Sequence, residues 1–240
     1  MALPILQVPK HELELLSSKK KVTYRPFLVK EQKVLMQALQ TGGRDDVIKA
    51  VIECAEACTF GLVDVAKLPY FDLERLFIFI RSKSVGEIVP INVRCDKCNE
   101  YSPVDLNLLE GMKIANSDGA FGKLEIRDGY GLVFNYPTII DMAYANRLQD
   151  AEDVDEVDYY YRLGKRCLKG VFDGEDFFTA ADSSETEKDA VFDALGADEF
   201  QKLKGHFDSL PAISYDLDFK CIKCGTENHL HVEGLDSFFG

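Results

Sequence analysis

Two Cys-x-x-Cys pairs, Cys95/Cys98 and Cys221/Cys224, constrain the folding of this chain more than any other feature. Each stands between two strand-like runs, at 87–94 and 101–108 for the first pair and at 213–219 and 229–233 for the second. A strand, a turn holding two thiols and a returning strand make a zinc knuckle. Two knuckles supply the four soft ligands that tetrahedral zinc favours. A shared site ties position 95 to position 224 and makes the chain between the pairs an insertion.

The pairs are far apart for a compact ribbon, whose pairs stand roughly 15–20 residues from each other. Here 122 residues lie between Cys98 and Cys221. Closure entropy grows only logarithmically with length, so a split ribbon is physically reasonable. Two disulfides, a redox pair and four unrelated thiols are the other readings. Residues 1–6 lack the basic start and long apolar core of a secretory signal, so a reducing compartment is expected, where disulfides are rare. A thioredoxin-like pair opens a helix, and neither pair precedes a helical pattern. The expectation is one structural zinc ion on Cys95, Cys98, Cys221 and Cys224. His229 and His231, alternate residues of one strand, leave open a site in which a histidine replaces a cysteine. Cys54 and Cys58 share a helix face and read as core, as does Cys167.

The chain has 240 residues and is 46% hydrophobic, enough for one large core or two small ones. No apolar run approaches the ~20 residues that span a bilayer, so no membrane association is expected. The net charge of −13 opposes phosphate binding and hence a nucleic-acid partner. The acid is concentrated: residues 150–199 hold 16 Asp/Glu against 5 Lys/Arg. That is either a solvated surface or a steering face for a basic partner.

Hydrophobic patterning indicates an α+β protein, with a helical N-terminal half and a split four-cysteine ribbon around an acidic, mixed α/β insertion. A hairpin is expected over 12–16 and 22–27, with Pro26 on an edge strand. Helices follow over 30–39, 45–57 (capped by Asp45 or Asp46) and 72–86, the last burying Leu73, Leu76, Phe77 and Ile80. Domain boundaries are read as 1–110, 111–212 and 213–240, packed as one unit. In the insertion, short strands are expected at 123–127, 132–136, 171–172 and 177–178, and helices over 138–148, 155–167, 183–195 and 198–210. One weak repeat matches residues 108–111 to 231–234, each ending in Glu-Gly.

No catalytic residue is identified. The chain lacks a phosphate loop, a nucleophile elbow and a His-Glu-x-x-His motif, and four cysteines would close a zinc ion to substrate. Asp173, Glu175 and Asp176 around Gly174 read as a turn rather than a calcium loop. No small-molecule substrate is indicated.

Two stretches carry a family resemblance. One is Val22-Thr-Tyr-Arg-Pro-Phe-Leu-Val-Lys-Glu-Gln-Lys-Val-Leu-Met-Gln-Ala38. The other runs from Cys58-Thr-Phe-Gly-Leu-Val-Asp-Val-Ala-Lys-Leu-Pro-Tyr-Phe-Asp-Leu-Glu-Arg-Leu76 to Val85-Gly-Glu87 and the first knuckle. With the Asp236-Ser-Phe-Phe239 ending, they resemble the baseplate hub assembly proteins of T-even-type contractile-tailed bacteriophages, over 20–110 and again over 213–239. The resemblance implies a non-enzymatic protein that builds the central hub by binding other hub proteins. It leaves open a lasting hub component or a transient chaperone, in the host cytoplasm or in the virion baseplate. Candidate partner-binding residues are Asp150, Glu152, Asp153, Asp155, Glu156 and Asp158 on the acidic face, and Phe238 and Phe239 at the C-terminus. Tyr159, Tyr160 and Tyr161 are further candidate anchors, with one ring expected to be exposed. The other functions considered are a nucleic-acid accessory factor, using Lys97, Lys220 and Lys223 beside the ribbon, and a metal-dependent hydrolase using the histidines.

Overall fold

The computed structural model describes residues 6–116, 121–146 and 155–233. In chain order the strands are β1 (His11–Glu14), β2 (Lys21–Tyr24), β3 (Ile88–Arg94), β4 (Tyr101–Asn107), β5 (Met112–Ala115), β6 (Lys123–Arg127), β7 (Tyr130–Phe134), β8 (Leu168–Asp173), β9 (Asp176–Thr179), β10 (Ala212–Lys220) and β11 (Glu227–Glu233). The helices are α1 (Val29–Thr41), α2 (Arg44–Cys58), α3 (Tyr70–Val85), α4 (Ile139–Asn146), α5 (Glu156–Cys167), α6 (Glu185–Asp193) and α7 (Ala197–Asp208). The mixture of helix and sheet is the α+β class that the patterning indicates. The chain divides into two units, one of Met1–Val65, Phe71–Ala115 and Ala212–Gly240, the other of Ala66–Tyr70 and Asn116–Pro211. No described helix is long and apolar enough to cross a membrane.

In the first unit, β1 and β2 form an antiparallel hairpin whose alternate residues Leu13, Val22 and Tyr24 are buried. Its turn is held from a distance. Asp72, in the first turn of α3, accepts from the backbone N–H groups of Leu16 (2.6 Å) and Ser17 (3.2 Å) and from the Ser17 hydroxyl. Proximity to Pro69 suggests a helix start near Asp72. The helix in fact begins at Tyr70, and this carboxylate fastens the hairpin to it. The periodicity of α3 is otherwise as read, with Leu73, Leu76, Phe77 and Ile80 all buried. α2 starts one residue before the expected cap, and Asp46 accepts from the N–H of Gly43 (3.2 Å).

The end of β2 is joined to α1 and α2 by a buried ion pair. Arg25 donates to Glu31 (2.9 Å) and to the Pro26 carbonyl (2.9 Å), while Glu31 accepts from the Leu28 N–H (2.8 Å). The Arg25 N–H reaches the Cys58 carbonyl at 3.0 Å, and its guanidinium lies 3.8 Å from the Cys58 sulfur. Burial would raise the Glu31 carboxyl. The Arg25 hydrogen bond and the Leu28 N–H outweigh it and hold the group below its ordinary value. Cys54 and Cys58 are both buried, as expected of core thiols on one helix face.

The two ribbon hairpins are β3–β4 and β10–β11, and β5 pairs with the other side of β10. Their shared core is Ile78, Leu106, Leu108, Ile213 and Tyr215, with Val89, Ile91, Leu217 and Val232 packed against it. The Tyr215 hydroxyl donates to the Leu108 carbonyl at 2.9 Å. β5 is short and alternates between half-buried and exposed residues, which leaves little hydrophobic signal, and sequence patterning does not find it. Its register pairs Ala115 with Ala212. The chain therefore leaves the first unit and re-enters it at neighbouring positions.

In the second unit, β6-β7-β8-β9 form an antiparallel sheet in that order, with α4 and α5 in the connection from β7 to β8. Ile126, Leu132 and Phe134 from the sheet and Leu163, Phe192, Leu203 and Phe207 from the helices are buried. Gly164 of α5 lets Phe192 approach, since a Cβ there would stand 2.6 Å from its ring. Ser184 and Glu187 form the expected capping box at the start of α6.

The buried ion pair gives a test. Arg25→Ala leaves Glu31 buried without its counter-charge and should lower stability by about 3–5 kcal/mol. Arg25→Met with Glu31→Leu should recover most of that loss, read from urea midpoints at pH 7. Because the folded-state pKa of Glu31 is depressed from 4.5, its contribution is complete above the unfolded value and disappears as pH falls through the folded one.

Candidate metal centre

Each Cys-x-x-Cys pair closes a hairpin with the same backbone turn. The Cys95 N–H donates to the Glu100 carbonyl (2.9 Å) and the Asn99 N–H to the Cys95 carbonyl (2.9 Å). The second turn repeats this with Cys221 to Thr226 (2.9 Å) and Gly225 to Cys221 (3.0 Å). Asn99 and Gly225, each just after a second cysteine, take φ of 57° and 70°. Only residues tolerant of the left-handed region serve at such a position, and their presence curls both thiols of a pair to one side.

The hairpins are equivalent residue for residue. The register Arg94 to Tyr101 and Ile88 to Asn107 in the first corresponds to Lys220 to Glu227 and Ser214 to Glu233 in the second. Every position is offset by the distance from Cys95 to Cys221. The resemblance of 108–111 to 231–234 is not this repeat, since it is displaced by three residues from the cysteine register.

The two turns also hold each other reciprocally. The Asp96 N–H donates to the side chain of Asn228 (3.0 Å), and the Ile222 N–H donates to the Ser102 hydroxyl (3.2 Å). Asp96 and Ile222 are equivalent positions, and so are Ser102 and Asn228. The bonds thus define a local two-fold relation between the knuckles. Ser102 and Asn228 are both buried. Lys223 and Glu100 add an ion pair at 2.6 Å across the junction.

This arrangement brings the four sulfurs together. Cys95 Sγ is 3.7 Å from Cys224 Sγ, Cys98 Sγ is 3.5 Å from Cys221 Sγ, and all four lie within 4.8 Å of one another. Metal–sulfur bonds of about 2.3 Å in a tetrahedron give a sulfur–sulfur edge of about 3.8 Å, so the donor set fits a tetrahedral ion. The electrostatics point the same way. Cys221 is pulled down to about 6 by the N–H groups of Cys224 and Lys223, the latter 3.4 Å from its sulfur. Cys224 is lowered as well, first by the Thr226 hydroxyl. Cys98 feels the Glu100 N–H, but desolvation and the other sulfurs push it up to about 12. Four thiolates this close repel one another, and a central cation removes the conflict.

The histidines do not join the cluster. His231 Nδ1 lies 2.6 Å from Asp216 and His229 Nδ1 lies 2.8 Å from Asp218, all on the exposed side of β10–β11. The Asp218 hydrogen bond raises the His229 pKa.

Among the candidate partner residues, Asp150, Glu152, Asp153, Phe238 and Phe239 lie outside the described residues. The others take part in the second unit's own structure. Asp155 caps α5 by accepting from Val157 (3.0 Å), Glu156 is ion-paired with Lys204, and Asp158 is held by Arg162 (2.9 Å). The three tyrosines all find partners within the unit. Tyr161 donates to Asp189 and Asp193 (3.1 and 2.9 Å), Tyr160 donates to Asp208, and Tyr159 approaches the Met142 sulfur (3.7 Å). None projects as a free anchor, contrary to the expectation of one exposed ring.

A family model described as T4 bacteriophage base plate protein matches residues 8–240. No curated protein and no solved structure matches the chain.

The reciprocal bonds are directly testable. Ser102→Ala and Asn228→Ala each leave one turn amide without its acceptor, at a cost of about 1–3 kcal/mol. Each variant should release bound metal to a chromophoric chelator faster than the wild-type protein. Asn92→Ala, on the exposed side of β3, should not.

Proposed function

Given that this chain belongs to the T4 bacteriophage base plate protein family, we propose that it is a non-enzymatic hub assembly factor or hub component that works by binding other hub proteins. The observation that carries this reading is the family match along residues 8–240. It is supported by a metal centre whose four positions are all taken by cysteine. Such a centre leaves no open position for water or substrate.

Zinc is the proposed ion. Four sulfur donors in a tetrahedron suit it, and in this geometry it brings structure without redox chemistry. When bound, it would join the hairpin after α3 to the hairpin at the end of the chain. The charge supports proteins rather than nucleic acid as partners. The net charge is −13, and Lys223 beside the ribbon is already paired with Glu100. In this reading the protein acts in the host cytoplasm during tail assembly, through a surface that includes the acidic 150–199 segment or the Phe238/Phe239 ending.

Metal analysis of protein purified without chelator should find about one equivalent of zinc per chain. Cys95→Ser should lose the ion and unfold the ribbon together with its core, because metal binding and folding are coupled. Iron in place of zinc, or no metal, overturns this part of the reading.

The assembly role is tested in infected cells. Charge reversal across 150–158 combined with removal of 236–240 should stop hub formation. Mass spectrometry of purified tails beside lysate separates a lasting component from a transient factor. Normal baseplates with both changes in place would rule out these surfaces.

A further inference from the structure

β9 is the last strand of the four-stranded sheet. β8 pairs one side of it, and no described strand pairs the other. All four of its residues are exposed. The opposite edge is built differently. β6 carries Lys123, Glu125 and Arg127, Glu199 of α7 holds Arg127, and Lys202 donates to the Ile126 carbonyl at 2.6 Å. Charged or covered edges do not recruit further strands, whereas a bare edge presents a row of unpaired N–H and C=O groups. β9 has no lysine, proline or bulge, and no described strand covers its outer side, where the Ser183 hydroxyl donates to the Thr179 carbonyl (3.4 Å) at one end.

It presents two phenylalanines instead. Phe177 is 51% exposed and Phe178 59% exposed, and as consecutive strand residues they face opposite sides of the sheet. Phe177 is paired with Phe172, so the two rings share a face. Phe177 lies over Gly170 and Phe172 over Gly131, where a Cβ would in each case stand 2.5 Å from the ring. Lys123 sits 4.1 Å over the Phe172 ring on the same side. An apolar ridge therefore runs out to the free edge.

The charge around this edge is distinctive. Asp173, Glu175, Asp176 and Asp182 surround the strand, and no Lys or Arg occurs between Gly170 and Glu187. Elsewhere in the acidic segment Glu156, Asp158, Glu185, Asp189 and Glu199 are all ion-paired within the unit. These four carboxylates form no ion pair among the described residues. Four carboxylates without an ion pair among the described residues therefore lie around the β9 edge of this sheet.

We infer that β9 is a docking edge for an extended segment of a partner protein, which adds a fifth strand and alternates basic with apolar side chains. The strand's outer backbone groups supply the hydrogen bonds; Phe177 packs against the apolar side chains of the incoming strand, and Phe178, on the face that carries Asp173 and Asp176, packs against the stems of its basic ones. The carboxylates select lysine or arginine at the flanks. The same charges oppose a second copy of this chain, because edge-to-edge pairing would bring like charges together. This deepens the protein-binding reading above and rests on it.

The test uses the full-length protein and a fluorescent heptapeptide of alternating lysine and valine. Binding is expected, together with slowed hydrogen exchange of the backbone amides of Phe177 and Thr179, which face away from β8 in this register. A peptide of the same composition with its lysines grouped together should bind at least ten-fold more weakly. Phe178→Thr should weaken the alternating peptide at least ten-fold. This residue covers no glycine, so the change leaves the sheet intact, which thermal unfolding verifies. Asp173→Asn with Asp176→Asn should weaken binding and flatten its salt dependence. Equal binding of both peptides, or unchanged exchange in β9, reduces the contact to bulk charge and overturns the inference. So does a dimer in sedimentation that Phe178→Thr abolishes, since the edge then belongs to a second copy. Loss of peptide binding removes strand docking alone, whereas normal baseplates in cells lacking the protein remove the protein-binding reading itself.

Discussion

The junction between the two knuckles is the constraint on which the ribbon depends. Each hairpin alone is a two-stranded ribbon, a form marginal in water. Their union rests on four sulfurs within 4.8 Å, two reciprocal amide bonds to Asn228 and Ser102, and the small core around Leu106, Ile213 and Tyr215. Without a cation the sulfurs compete for protons, with Cys221 near 6 and Cys98 near 12. The centre that joins the hairpins is therefore also one that could hold a cation. In such sites binding free energy is folding free energy.

A long insertion is compatible with this junction because its ends are already together. β5 pairs Ala115 with Ala212 on the outer side of β10. The second unit is therefore closed by a sheet register, and its length enters the closure entropy only through a logarithm. α3 contributes from the other direction. Ile78 packs in the ribbon core while Asp72 holds the turn of the β1–β2 hairpin, so one helix links both ends of the first unit.

Acidic composition takes on a different meaning once the helices are in place. Most carboxylates of α5, α6 and α7 are neutralised by Lys165, Lys188, Lys204, Arg127 and Arg162 or serve as caps. Exposed pairs of this kind contribute little to stability, of order 0–1 kcal/mol each. Their effect is on the field of the molecule. Around β9, by contrast, Asp173, Glu175, Asp176 and Asp182 have no ion pair among the described residues, and two phenylalanines are also exposed.

The sequence by itself determined whatever depends on near neighbours. The apolar period of α3, the capping box at Ser184 and the strand–turn–strand setting of each cysteine pair are all contained within windows of a few residues. The four sulfurs were legible because Cys-x-x-Cys is a local motif whose chemistry asks for a second copy. Only the tertiary structure decided what depends on distant partners. Ser102 and Asn228 are ordinary polar residues until two turns 126 positions apart meet. Asp72 resembles a helix-start residue until a hairpin 55 residues away lies against it. The run of tyrosines offers an exposed anchor on paper until α6 and α7 place Asp189 and Asp193 against Tyr161 and Asp208 against Tyr160. Composition likewise counted the acids of 150–199 but could not separate the paired from the unpaired. A charge is compensated by whatever lies within a few ångströms in space, and the order of residues along the chain does not record that distance.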